Sequence, residues 1–234
     1  TSGGVVAAGT IGAAILSATG WEGAVILGAF FVPSTLVGRL RRDSPAGTDA
    51  KGERRDAVQV LANGSAAAVG ALLELVAPGV GSWIVTSSLA AAAADTWATS
   101  LGSRSRSNPR QLISWRPVSP GTSGGVSVAG SLGAVAGGLV VALAGFSAGG
   151  GAPLIVAGTA IGFVGMLLDS LLGAGVQGRF VCPVCGTPSE RRRHHCGSVT
   201  QLVGGWRWLD NDGVNALATG FAAIAGGLMW CWLS

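Results

Sequence analysis

The stretch Ala90–Gly102, AAAAADTWATSLG, fixes the character of the whole chain. Its five alanines follow Trp83-Ile84-Val85 and Leu89, a run suited to a membrane or a buried core, yet it carries a carboxylate at Asp95. A bare charge in such surroundings is costly unless a partner or a polar cavity meets it. What the other segments bring to the depth of Asp95 therefore decides its role.

Composition points to a membrane protein. Of 234 residues, 49% are hydrophobic and 11% charged, with 40 glycines, and the mean hydropathy is +0.54. Soluble domains carry about 25% charged residues. The net charge of +4 does not imply nucleic acid, because the arginines fall in loops that flank apolar runs. Phosphate-bearing ligands and anionic headgroups are the expected partners.

The predicted fold is an all-α polytopic bundle forming a single membrane domain over residues 1–234. Seven stretches meet or approach the about 20 apolar residues that a span needs: Gly3–Ala18, Glu22–Gly38, Ala57–Val76, Val80–Leu101, Gly125–Phe146, Ala152–Val176 and Asp212–Leu233. The first two are separated by little more than Thr19-Gly20-Trp21. The N-terminal run lacks the positive lead of a secretory signal and is expected to be a first span. Gly133/Gly137 and Gly158/Gly162 have the small-xxx-small spacing of close helix packing.

All 15 basic residues lie within Arg39–Arg55, Arg104–Arg116 and Arg179–Arg207, and the connections near Gly20, Pro78-Gly79 and Ser147–Gly151 have none. Positive-inside orientation then puts loops 39–56, 102–124 and 177–211 in the cytoplasm of a multi-pass protein, with the C-terminus outside.

With that orientation the polar residues sort by depth. Asp95 and Asp169 lie near the cytoplasmic ends of their spans, and Asp210, Asp212 and Asn215 lie at the cytoplasmic start of the last one. Asp56, Gln59 and Asn63 share one helical face at the start of the third. Only Glu74 falls towards the other side. For any single residue the plain alternative is a helix cap or a partner for a loop arginine, as Asp56 for Arg54 or Arg55. Taken together, the carboxylates call for a divalent cation, and Mg²⁺ suits them because it binds through carboxylates and substrate phosphates. The expected Mg²⁺ ligands are Asp95, Asp169, Asp210 and Asp212, with Asp95, Asp169 and Asp212 catalytic.

Opposite them, the glycine-rich turn Gly121-Thr122-Ser123-Gly124-Gly125 leads into the fifth span beside Arg104 and Arg110. Backbone amides at such a turn can cradle phosphate oxygens. No lysine stands where a Walker A motif would need one. Nucleotide and phosphate contacts are assigned to Arg104, Arg110, Gly121, Thr122, Ser123, Gly124, Gly125, Gln59, Asn63 and Asn215. A metal-binding acidic wall facing a phosphate-binding wall is the requirement of phosphoryl or nucleotidyl transfer.

Cys182-Pro-Val-Cys185-Gly and His194-His195-Cys196-Gly197 supply ligand types and spacing for a structural Zn²⁺ in a small ribbon-like cytoplasmic loop, with Cys182, Cys185, His194 and Cys196 as ligands. The spacing leaves open whether His194 or His195 binds, and free thiols or a redox pair are the alternatives. Cys231 lies in a span on the far side.

The motifs RRDAVQVLANG, DTWATSLGS, GTSGGVSVAG, DSLLGAGVQ, CPVCG…HHCG and WLDNDGVNALAT follow one another as in the integral-membrane family of unknown-function domain 92, which the chain resembles over nearly its whole length. That family includes a plant phytyl-phosphate kinase. The resemblance implies a prenyl-phosphate kinase that phosphorylates an isoprenoid monophosphate such as phytyl or geranylgeranyl phosphate, with CTP favoured over ATP as donor. It also implies roles for Asp56, Asn63, Asp95, Asp169, Asp210, Asp212 and Asn215. One departure is Ser100, where the family commonly has glutamate. A CTP-dependent lipid-phosphate cytidylyltransferase and a transporter are the alternative readings. The expected setting is a bacterial or archaeal plasma membrane, with self-association left open.

Overall fold

The computed structural model describes residues 1–40, 56–105, 107–189 and 192–234. Most of the first basic loop, including Arg54 and Arg55 as partners for Asp56, lies outside the described residues. So does Arg191.

The first helix, α1 (Ser2–Gly38), is folded on itself. Gly20 takes φ 63° and ψ −148°, a left-handed conformation only glycine adopts easily, and the helix reverses there. A Cβ on Gly12 would stand 3.7 Å from Leu27, whereas fifteen residues of straight helix span about 22 Å. The expected break at Thr19-Gly20-Trp21 is thus a tight helical hairpin with arms 2–19 and 21–38.

Five further helices follow: α2 (Ala57–Leu73), α3 (Val80–Gly102), α4 (Val128–Gly145), α5 (Pro153–Gly175) and α6 (Asn211–Leu233). A π-helical turn, Phe146–Gly150, extends α4. The helices α1, α4 with its extension, α5 and α6 are long and apolar enough to cross a membrane, and α2 is shorter and apolar. Their outer faces expose Phe31, Val69, Leu132, Val156 and Leu228, as a lipid environment requires.

Helix α3 is the hub, packed against all the other helices and buried almost continuously from Val80 to Ala94. The alanines make this possible. A Cβ on Gly137 of α4 would come within 2.9 Å of the Ala93 carbonyl oxygen, and one on Gly162 of α5 within 3.0 Å of Ala90. The small-xxx-small glycines of α4 and α5 therefore seat those helices on the alanine stripe, where the gain is close backbone packing.

The chain is mostly helical as expected, and among the described residues the loops add two small sheets. Strands β1 (Arg110–Gln111) and β2 (Gly125–Val126) pair antiparallel. Between α5 and α6, β3 (Arg179–Val181), β4 (Pro188–Ser189) and β5 (Gln201–Gly204) form a sheet ordered β4-β3-β5. Strands of two to four residues are too short to show a hydropathy period.

The two ends of the bundle differ. At one, Arg104 donates to the Leu40 carbonyl at 3.3 Å, and Gly3 lies 3.5 Å from Ala57 by its would-be Cβ. At the other, the Gly20, Gly79 and Gly149 turns surround a cavity of about 450 Å³ that Glu22 and Glu74 help to line.

Candidate functional site

The level of each acidic residue follows from helix packing. A Cβ on Gly165 (α5) would touch Ala91 (α3) at 2.7 Å and the Ala218 carbonyl (α6) at 3.7 Å. One turn further, about 6 Å, stand Asp95 on α3 and Asp169 on α5, which run the same way. On α6, which runs oppositely, the same step reaches Val214, flanked by Asp212 and Asn215. Helix α2 joins this layer through Thr219, whose hydroxyl donates to the Ala62 carbonyl at 2.9 Å. Asn63 and Gln59 sit beside that contact.

Asp95 and Asp169 are near enough to interact electrostatically. Asp95 is half-buried, and Asp169 Oδ2 is buried with no hydrogen-bond partner among the described residues. Asp212 is 2% exposed. These three carboxylates form the buried part of the candidate site.

Other expected members are occupied locally. Asp56 and Gln59 close a capping box on α2, with the Gln59 amide donating to Asp56 Oδ1 at 2.9 Å and the Asp56 amide donating to Gln59 Oε1 at 3.2 Å. Asp210 is exposed and caps α6, accepting from the Gly213 amide at 3.0 Å. Asn63 donates to the Gln59 carbonyl at 2.9 Å. Ser100 is buried, with its hydroxyl on the Thr96 carbonyl at 2.8 Å. That hydroxyl is turned to its own helix.

The glycine turn does reach the acidic end. A Cβ on Gly124 would meet Ser170 and Ala174 of α5 at 2.5 Å, and a Cβ on Gly173 would stand 3.2 Å from the Gly124 amide nitrogen. The turn thus lies within about a turn and a half of Asp169. Gly121 and Gly124 have φ of 87° and 76°, which is why glycine stands at both. Two expectations change. The turn does not open α4, because β2 intervenes and Ser127 caps that helix through the Gly130 amide at 3.1 Å. The amides of Thr122 and Gly125 are used inside the loop, on Ser119 and Thr122 carbonyls. Arg110 donates to the Trp115 carbonyl at 2.9 Å and lies 6.0 Å from the Trp115 ring centroid.

A second cluster lies beyond the membrane helices. One ligand atom each from Cys182, Cys185, His194 and Cys196 lies within 4.8 Å of the others, a group that could hold a metal ion. His194 Nδ1 is 3.2 Å from Cys196 Sγ, and Cys182 Sγ is 3.6 Å from the same sulfur. The hydrogen bond with His194 brings the pKa of the Cys196 thiol down to about 5. The geometry selects His194 rather than His195. Sequence spacing alone left that choice open.

The family model described as integral membrane protein DUF92 matches residues 1–223. The chain is 28% identical over 230 residues to an uncharacterized membrane protein of Methanocaldococcus jannaschii, covering 98% of this chain and 85% of the relative. It is 31% identical over 251 residues to Protein PGR of Arabidopsis thaliana, covering 92% and 83%. An uncharacterized membrane protein of Synechocystis sp. is 29% identical over 230 residues, covering 93% and 78%. No solved structure matches the chain.

Proposed function

We propose, because the chain belongs to the integral membrane protein family DUF92, that it is a prenyl-phosphate kinase working at the cytoplasmic face of a bacterial or archaeal plasma membrane. In this reading the two arms of α1 and helices α2 to α6 make seven crossings, of which α1, α4 with its extension, α5 and α6 have the length and apolarity of spans by themselves. The observation that carries the reading is Asp169: a buried carboxyl oxygen without a partner, in electrostatic reach of Asp95, with a glycine turn packed against the same helix. Clustered carboxylates of this kind fit Mg²⁺ that also takes phosphate oxygens.

In this reading Asp95, Asp169 and Asp212 hold the cation, with Asp210 at the rim. Bound Mg²⁺ neutralises charge on the nucleotide phosphates. Gly121–Gly125, Arg104 and Arg110 hold phosphate oxygens after the arginines leave their present carbonyl partners, and Gln59, Asn63 and Asn215 line the nucleotide side. An oxygen of the prenyl monophosphate attacks the γ-phosphorus of the donor, favoured as CTP. The bond from that phosphorus to the β-phosphate oxygen breaks, giving prenyl diphosphate and a nucleoside diphosphate. The attacking phosphate is already anionic, so no general base is required. A zinc ion in the Cys182, Cys185, His194 and Cys196 group is structural in this scheme.

Purified protein in detergent, mixed with geranylgeranyl or phytyl phosphate, Mg²⁺ and each nucleoside triphosphate, is expected to yield the diphosphate together with a nucleoside diphosphate. Pyrophosphate release would point instead to nucleotidyl transfer. Absence of turnover with every pair, in protein of intact fold, would refute both.

A further inference from the structure

We infer that Cys182, Cys185, His194 and Cys196 bind zinc in a closed four-ligand centre, and that this ion clamps the start of α6 to the end of α5.

The two ligand turns are each closed by a backbone hydrogen bond from a glycine. In Cys182–Gly186 the Gly186 amide returns to the Cys182 carbonyl at 2.9 Å, and in His194–Gly197 the Gly197 amide returns to the His194 carbonyl at 2.9 Å. Both closing glycines are left-handed, at φ 67° and 88°. The Cys185 amide also points to Cys182 Sγ at 3.5 Å. One turn closes over five residues and the other over four, each on a left-handed glycine, and each presents two ligands to a common centre. Three sulfurs and an imidazole match tetrahedral zinc, and four protein ligands leave no open position for catalysis.

The surrounding core is small. Segment 176–210 is roughly 35 residues, below the size at which a chain buries enough surface without a metal, disulfide or partner. Its strands are two to four residues long. Val184, Val199 and Val203 are exposed, while Cys182 and His194 are 0% and 2% exposed. Cys185 and Cys196 face out, and the large apolar side chains buried in the segment are Phe180 and Leu209, so the ion supplements a core of very few residues.

The module is rooted between α5 and α6. The Gly178 amide donates to the Leu209 carbonyl and the Trp206 amide to the Val176 carbonyl, both at 2.8 Å. Gly205 packs so closely on the Gln177 carbonyl that no Cβ fits there. These bonds join Val176–Gly178, just after α5, to Trp206–Leu209, just before the α6 cap. Asp169 and Asp212 lie on the two helices so joined. Loss of the ion would open the sheet from its tip and free the first turn of α6. The link to Asp212 chemistry rests on the proposed function, but the metal and the clamp do not.

The test uses the full chain in detergent without substrate. Elemental analysis is expected to find zinc and protein in equal amounts, and cobalt exchange to give the visible and near-ultraviolet bands of a tetrahedral thiolate site. Chelation is expected to speed hydrogen exchange at the Gly178, Trp206 and Leu209 amides, and zinc to reverse it. His195→Gln and Cys231→Ser should keep the metal, whereas Cys185→Ser and Cys196→Ser should lose it. Should the serine variants fail to fold, the wild-type cobalt spectrum and chelation data still decide. Zinc-free protein with no thiolate band overturns the site. Unchanged exchange at those amides after metal removal overturns the clamp, whatever the turnover assay gives.

Discussion

Two carboxylates at opposite ends of the bundle, Glu74 and Asp169, behave differently for a reason that lies in the backbone around them. Glu74 accepts from the Gly79 and Gly81 amides, each at 2.6 Å. It thereby serves the free amides at the start of α3, where Gly79 at φ 94° offers no side-chain cap. Asp169 sits deep in α5, whose own amides are used, and its Oδ2 finds no donor among the described residues. The first carboxylate completes the fold. The second leaves an oxygen unused among the described residues, with Asp95 in electrostatic reach and the glycine turn packed on the same helix.

Exchanging the charges separately should break this comparison if it is wrong. The largest effect is expected for Asp169→Asn or Asp95→Asn: turnover falls by about a thousandfold, the size of loss that follows removal of transition-state charge stabilisation, with thermal stability kept or raised. Glu74→Gln should do the opposite, lowering unfolding free energy by about 2 kcal/mol, since hydrogen bonds to a charged acceptor are weakened, with turnover unchanged. Gly162→Val, aimed at the alanine stripe, is expected to cost about 1–3 kcal/mol through overpacking and to lower activity only as far as the folded fraction falls. The smallest effect belongs to Ser100→Ala. Loss of its bond to Thr96 should cost under about 1 kcal/mol and leave turnover unchanged, as expected of a hydroxyl turned into its own helix. Thermal denaturation beside turnover measurements checks all four.

How much of this was legible in sequence depended on the range of the interaction involved. Helix positions, the break at Gly20 and the Cys/His group were visible because each depends on neighbours close along the chain. Hydropathy could not reveal α3 as the hub, since a helix surrounded by helices and one facing lipid present similar apolar runs. A capping role is open to the carboxylates Asp56 and Asp210 in the sequence, though not read for Gln59, and depth alone could not separate a capping carboxylate from a ligand. That distinction needs the amide that approaches it. The β1–β2 pair that separates the glycine turn from α4 was missed because two-residue strands have no period to detect. An N-cap serine at Ser127, three residues before Gly130, was the one available signal.

The most direct measurement is Mn²⁺ binding by electron paramagnetic resonance, in the presence of a non-hydrolysable nucleotide analogue, on the wild-type, Asp169→Asn and Glu74→Gln proteins. The account predicts bound Mn²⁺ in the wild type and in Glu74→Gln, and binding weakened at least about tenfold, or about 1.4 kcal/mol, in Asp169→Asn. Retention of full Mn²⁺ affinity by Asp169→Asn, with loss in Glu74→Gln, would contradict it.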